Sequence, residues 1–195
     1  MTTALKPKLV ILISGRGSNM QSIVRAIQAN ELDAKVAAVI SNCSNAAGLE
    51  FAQQSEIATR TLDHKSFASR EAFDEQLMKL IDSFAPDYVV LAGFMRILSA
   101  GFVKHYANKL INIHPSLLPK FKGMHTHKRA IEAGEKEHGA TVHFVTEELD
   151  AGPMILQAKV PVLENDTEDT LAARVLIEEH KLYPDALRLL IQQQN

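Results

Sequence analysis

The chain has 195 residues, 46% of them hydrophobic, with no tryptophan and a formal net charge of −2. That length suits one compact domain with a substantial core, and the weak charge argues against nucleic acid or an anionic membrane as main partner. The single cysteine, Cys43, excludes an intramolecular disulfide and a cysteine-based zinc cluster. Residues 1–8 lack the apolar stretch of a secretion signal, and no apolar run reaches membrane-spanning length, so a cytoplasmic protein is expected.

The predicted elements alternate along the chain. KLVILI (8–13) reads as a buried strand that breaks at SGRGSN (14–19), and Met20, Ile23 and Ile27 fall at helical spacing over 20–29. VAAVIS (36–41) is a second strand, followed by a helix over 46–54 and a short strand over 58–62. Ser69 is placed to cap a helix that runs to Phe84 with Phe73, Leu77, Leu80 and Ile81 on its apolar face. DYVVLA (87–92) is the next strand, a short helix starts at Ser99, and LINIH (110–114) is a strand that Pro115 must end. A helix over 127–133, the strands ATVHFV (140–145) and MILQAKV (154–160), and an amphipathic helix from Thr167 complete the pattern. Strands alternating with helices imply an α/β domain of Rossmann-like type, its mostly parallel sheet covered on both faces. Only a loop separates the last two strands, so an antiparallel member is expected. No repeat or linker divides the sequence, and a single domain over 1–195 follows.

Ligands of open α/β sheets bind beyond the carboxyl ends of the strands, which puts SGRGSN, AGFMRIL and NIHPSLLP on one rim. The glycines of SGRGSN suit either an ordinary turn and helix start or a phosphate site built from helix amides. No Gly-Lys-Ser/Thr follows, and no third glycine completes a dinucleotide fingerprint, so a single phosphate fits better than a dinucleotide. In LINIH, Asn112 and His114 are two residues apart and share one face of the strand. Such a pair can serve local hydrogen bonding, bind a metal, or aim two donors at a carbonyl that becomes an oxyanion. His125 and His127 offer no evident third metal ligand, which favours the last of these. An imidazole in that role needs a carboxylate nearby, and Asp150, before the turn Ala151-Gly152-Pro153, is a candidate that spacing alone leaves as an ordinary loop residue.

Taken together, ISGRGSN, VVLAGFMRILS, LINIHPSLLP, HGATVHFVTEELDAGPMILQ and EEHKLYP resemble the folate-dependent formyltransferases in order and spacing, over nearly the whole chain. The GxGSN loop and the chain length resemble the branch that formylates the amine of glycinamide ribonucleotide. The resemblance implies the formyltransferase fold, 10-formyltetrahydrofolate as co-substrate and no metal. With the weak charge, no nucleic-acid or membrane partner is expected, and a homodimer stays open. The resemblance implies a phosphate-binding N-terminal half, and a C-terminal half for folate and catalysis. Asn112, His114 and Asp150 match the catalytic positions. Gly17, Ser18 and Asn19 match the phosphate and ribose side, and Glu179 matches a substrate contact on the last helix. Arg70, Met95, Arg96, Ile97 and Leu98 match the folate side, which Asn112 also faces. Two positions depart from the pattern: Arg16 inside the phosphate loop, and Ala151 where a second glycine often follows the Asp. The implied chemistry is direct attack of a neutral amine on the formyl carbon, with Asn112 and protonated His114 stabilising the oxyanion. Asp150 would steady the imidazolium and organise a proton-carrying water, and Cys43 would take no part. The rivals are formyl transfer to methionyl-tRNA, hydrolysis of formyltetrahydrofolate, and a non-catalytic nucleotide-binding module.

Overall fold

The computed structural model describes residues 5–193; part of the leader reading over 1–8 and both ends of the domain expected over 1–195 lie outside them. The strands are β1 (Lys8–Ile13), β2 (Lys35–Ser41), β3 (Thr59–Thr61), β4 (Tyr88–Leu91), β5 (Leu110–His114), β6 (Glu137–Phe144) and β7 (Met154–Pro161). They form one seven-stranded sheet in the order β3-β2-β1-β4-β5-β6-β7. β1 to β5 are mutually parallel, whereas β6 runs antiparallel to both β5 and β7. The helices are α1 (Ser18–Gln28), α2 (Gly48–Gln54), α3 (Arg70–Asp82), α4 (Ala100–His105), α5 (Thr126–Glu132) and α6 (Glu168–Gln193), with a single 3₁₀ turn at His64–Ser66.

The apolar run of β1 is continuous because helices cover both of its faces. Leu9, Ile11 and Ile13 face a core shared with Met20 and Ile23 of α1 and with Leu171, Val175, Tyr183 and Leu187 of α6. Val10 and Leu12 face a second core with Phe73, Leu77 and Ile81 of α3 and Phe102 and Val103 of α4. Ser69 caps α3, its side chain accepting from the Ala72 amide, and Ser99 caps α4 by accepting from the Phe102 amide. No helix among the described residues is long and apolar enough to cross a membrane.

Several boundaries differ by a residue or two, as where α3 ends at Asp82 rather than Phe84 and α2 begins at Gly48 rather than at 46, and two differences have a physical reason. β6 begins at Glu137, ahead of the expected 140, because antiparallel pairing with β7 continues to Glu137 opposite Pro161; a polar Glu-His start carries no strand signal of its own. The 3₁₀ turn at His64–Ser66 had no periodicity to reveal it, and rests on Asp63 accepting from the Lys65 amide. The strand order reverses direction between β1 and β4, and that boundary is the topological switch point where ligands of such sheets bind.

Candidate active site

β5 ends at His114, as Pro115 requires, and continues parallel to β4. Asn112 is half-buried and stands opposite His143 of β6 in the antiparallel pair. The register therefore places Asn112, His114 and His143 on one face of the sheet, the face that also carries α3 and α4.

His114 is more enclosed than a group on a strand rim, being buried beneath the segment that follows it. Its Nε2 lies 2.9 Å from the Phe121 carbonyl oxygen. A carbonyl can only accept, so this nitrogen carries a proton. The other ring nitrogen, Nδ1, lies 3.4 Å from Asp150 Oδ2. With the Nε2 proton committed, a bare Nδ1 would face a carboxylate with lone pair against lone pair. A proton held between Nδ1 and Oδ2, on either the ring or the carboxyl, removes that conflict.

Asp150 belongs to the loop that joins β6 to β7, closed where the Phe144 amide donates to the Pro153 carbonyl, 2.9 Å. Its backbone is left-handed, φ 49°, which an aspartate tolerates better than most residues. A side chain at Gly152 would collide with the Phe144 carbonyl, so this turn demands glycine. Ala151 is exposed. Asp150 Oδ2 also accepts from the Gly123 amide, 2.9 Å, so the segment 121–123 holds both His114 and Asp150.

His143, which the sequence reading did not single out, completes this cluster. It is 2% exposed, its Nδ1 donates to the Phe144 carbonyl at 2.9 Å, and its Nε2 stands 4.0 Å from Asp150 Oδ1 without a hydrogen-bond partner. Burial pushes its pKa down, so it stays neutral and presents a bare Nε2 lone pair. Only the register of β5 on β6 could have revealed it. The His127 ring contacts a different partner, His138, at 3.1 Å. Burial lowers both pKa values, that of His138 to about 4.

On the other side of the switch point, α1 begins directly after Gly17. Gly17 is left-handed, φ 65°, and no side chain caps the helix, so its first amides point into the loop. Arg16 adds a cation to this loop, and Gln21 Nε2 donates to its carbonyl at 3.2 Å. Asn19, in the first turn, is buried and donates from Nδ2 to Glu179 Oε2 at 2.8 Å, a contact between positions 160 apart. Burial raises the pKa of Glu179, with the Asn19 bond opposing it. Asn19 Oδ1 has no partner.

The segment after β4 presents Met95 and Ile97 outward, 77% and 68% exposed. Leu98 packs instead against the α3–α4 core. Arg96 lies over the Phe73 ring, 5.5 Å from its centre, rather than reaching the other site groups. Arg70, the first residue of α3, is exposed and bonds Glu71 at 3.2 Å. The structure thus gathers Asn112, His114, Asp150 and His143 at one place, and Asn19 with Glu179 at another. Arg70 and Arg96 stand apart from both groups.

A glycine loop opening onto helix amides and a buried His-Asp pair at a strand end both stand at the carboxyl ends of strands in a Rossmann-like sheet, where the ligands of such enzymes bind. Residues 7–187 match the family described as formyl transferase, and the chain belongs to that family. It is 59% identical to the phosphoribosylglycinamide formyltransferase of Escherichia coli (strain K12), over 90% of this chain and 83% of that protein. It is 46% identical to the human trifunctional purine biosynthetic protein adenosine-3, over 94% of this chain and 18% of that longer protein. Among solved structures, phosphoribosylglycinamide formyltransferase from Coxiella burnetii superposes with a TM-score of 0.90 at 50% identity, covering 94% of this chain and 86% of the other. Glycinamide ribonucleotide transformylase 1 from Symbiobacterium toebii gives 0.94 at 42%, covering 96% and 89%.

Proposed function

We propose that the chain transfers the formyl group of 10-formyltetrahydrofolate to the amine of glycinamide ribonucleotide, a step of de novo purine synthesis in the cytoplasm, and that residues 1–195 act as one domain. The observation that carries the catalytic part is the contact of His114 Nδ1 with Asp150 Oδ2, 3.4 Å, at the end of β5. The substrate follows from the likeness to the Escherichia coli enzyme over most of both chains.

Three regions divide the work. The ribonucleotide phosphate sits on the uncapped α1 amides with Gly17 and Ser18, where the partial positive charge of a helix start favours an anion. Asn19 and Glu179 hold the ribose side: Asn19 Oδ1 is a free acceptor, and the buried Glu179 is bonded to Asn19 there. The folate lies along Met95, Ile97 and Leu98, with Asn112 at its inner end and Arg96 and Arg70 toward its acidic tail. The exposed apolar side chains of Met95 and Ile97 fit an aromatic ring system that needs cover from water.

The amine attacks the formyl carbon, and charge develops on the formyl oxygen. The amide of Asn112 and the Nδ1–H of His114 donate to it. At 3.4 Å the Nδ1 contact with Asp150 is an ion pair rather than a hydrogen bond, so the Nδ1–H is left to donate to the oxyanion while the carboxylate balances the ring charge. The Phe121 carbonyl keeps the other proton on Nε2 and fixes the ring plane. Asp150 Oδ1 and His143 Nε2 are two acceptors 4.0 Å apart, suited to share one donor, either the attacking amine or a water that carries its proton to the leaving folate nitrogen. No covalent intermediate is required. Holding both reactants in register supplies a large share of the acceleration, roughly several kcal/mol. The test is spectroscopic detection of tetrahydrofolate release. Release with glycinamide ribonucleotide, but not with water or an aminoacylated tRNA, is expected; release with either of the latter alone would replace this reading by a rival.

A further inference from the structure

We infer that Ser14 is a positioning residue that ties the phosphate loop to the folate loop, an inference that rests on the function proposed above. β1 and β4 meet at the topological switch point, and their parallel ladder continues beyond the strands themselves. The Ala92 amide donates to the Leu12 carbonyl at 2.9 Å, and the Ser14 amide to the Gly93 carbonyl at 3.1 Å. At the next rung the chains part, because residues 15–17 turn into the loop before α1. The Met95 amide there finds the Ser14 hydroxyl instead of a main-chain carbonyl, 2.8 Å away. A side chain thus extends the ladder by one rung and joins the first residue of one loop to the first exposed apolar residue of the other.

The hydroxyl is committed on both sides. It has one proton, and it donates that proton to Asn42 Oδ1 at 2.6 Å. Asn42, just after β2, is 3% exposed, and its Nδ2 lies 3.2 Å from Nδ1 of His64 in the 3₁₀ turn after β3. The same ring nitrogen lies 3.3 Å from the Asn42 carbonyl, so the tautomer decides whether it accepts from Nδ2 or donates to that carbonyl, and either way His64 is held to Asn42. One line of hydrogen bonds therefore crosses the loops after β4, β1, β2 and β3, in the order in which these strands lie side by side. The phosphate loop is held at its base by a second bond, from the Gly48 amide to the Gly15 carbonyl, 3.0 Å. Gly15 and Met95 cannot move apart without breaking the Ser14 rung, so a ligand that orders either loop steadies the other.

A strand-end cap with no bearing on the ligands would lower thermal stability and leave both substrate constants unchanged. The positioning role requires more. In Ser14→Ala, hydrogen exchange of the Met95 amide should accelerate about tenfold, the worth of one net hydrogen bond. The Michaelis constants of both substrates should rise by a similar factor, about tenfold, with turnover changing less than either. Calorimetric titration of glycinamide ribonucleotide with and without tetrahydrofolate should lose whatever mutual enhancement the unaltered protein has. Ser14→Thr keeps the hydroxyl and should restore all three. Asn42→Ala should act in the same direction, and adding it to Ser14→Ala should have little further effect. A rise confined to one substrate, or constants unchanged beside a lowered melting temperature, overturns the inference. The exchange measurement needs no substrate. If the unaltered protein transfers no formyl group to glycinamide ribonucleotide, the proposed function fails, while an unaccelerated Met95 amide would still refute the tie.

Discussion

The parallel half of the sheet and its antiparallel end solve different problems with different groups. Around β1 and β4, what lies open is main-chain amide after Gly17 and exposed side chains such as Met95 and Ile97. Around β5 and β6, it is buried side chains held by one another and by the segment 121–123: His114, Asp150 and His143. The difference matches the tasks proposed for the two regions. A phosphate or a pterin is large and is recognised by an open, pre-formed surface. A charge that grows on one oxygen needs donors already oriented in a place with little water, where each is worth more than it would be at the surface.

The largest effects should therefore arise at the antiparallel end. His114→Ala should reduce turnover about 10³-fold, and Asn112→Ala about 10²-fold, with both substrate constants within a few-fold of normal. Melting curves belong beside these rates, since loss of the His114 ring leaves the Phe121 carbonyl without its donor. Near-normal turnover in a folded His114→Ala protein would break the comparison outright. Asp150→Asn keeps an acceptor for the Gly123 amide but removes the charge facing Nδ1, so turnover should fall about 10²-fold while calorimetry still detects both ligands.

In the parallel half the loss should appear in binding. Gly17→Val forces a β-branched residue into a left-handed backbone, φ 65°, and brings its Cβ within 3.1 Å of Met20. Strain of about 1–2 kcal/mol should raise the constant for glycinamide ribonucleotide about tenfold or more while sparing that of the folate. Equal loss of both ligands would show that the loop is structural and blur the distinction between the halves.

Acid should weaken the antiparallel end first. Burial depresses the folded-state pKa values of His127, His138 and His143, that of His138 to about 4. Below the ordinary imidazole value of about 6.5, the unfolded chain binds protons that the folded one refuses. This contribution to stability is thus intact above pH ~6.5 and is lost as pH falls toward about 4. Thermal melts across that interval should show a falling midpoint, and His138→Gln should flatten the curve. A midpoint that stays level in the unaltered protein would contradict the buried, neutral histidines.

Arg70→Ala should give the smallest effect. The side chain is exposed and paired with Glu71, so its hold on the folate tail is that of a screened surface charge, about two- to threefold in the folate constant. A tenfold rise would show that the two halves share a stronger charge contact than the structure contains.

Much of this architecture is legible in the sequence. The continuous apolar run of β1, the Ser69 and Ser99 caps, and Pro115 at the end of β5 are local signals, because each depends on neighbours a few residues away. The glycine loop and the Asn-x-His pair were visible for the same reason, and their resemblance to a known family supplied Asp150 and Glu179, which spacing alone did not. Other features have no local signature. The start of β6 at Glu137 is imposed by β7, and the 3₁₀ turn by one aspartate side chain.

By itself, then, the amino-acid sequence determined the element types, the parallel sheet and the residues that could carry chemistry, since periodicity and capping operate within a turn or a strand. Tertiary structure alone decided which of them meet. Antiparallel register set His143 opposite Asn112, and burial left it neutral with a bare nitrogen toward Asp150. Helix packing brought Glu179 to Asn19. The turn after β5 put the Phe121 carbonyl on His114, enclosing a histidine that the strand pattern alone would leave on an open rim. Each of these contacts joins groups whose approach costs chain entropy and desolvation, and only the closed fold, with its other contacts already made, offsets that cost.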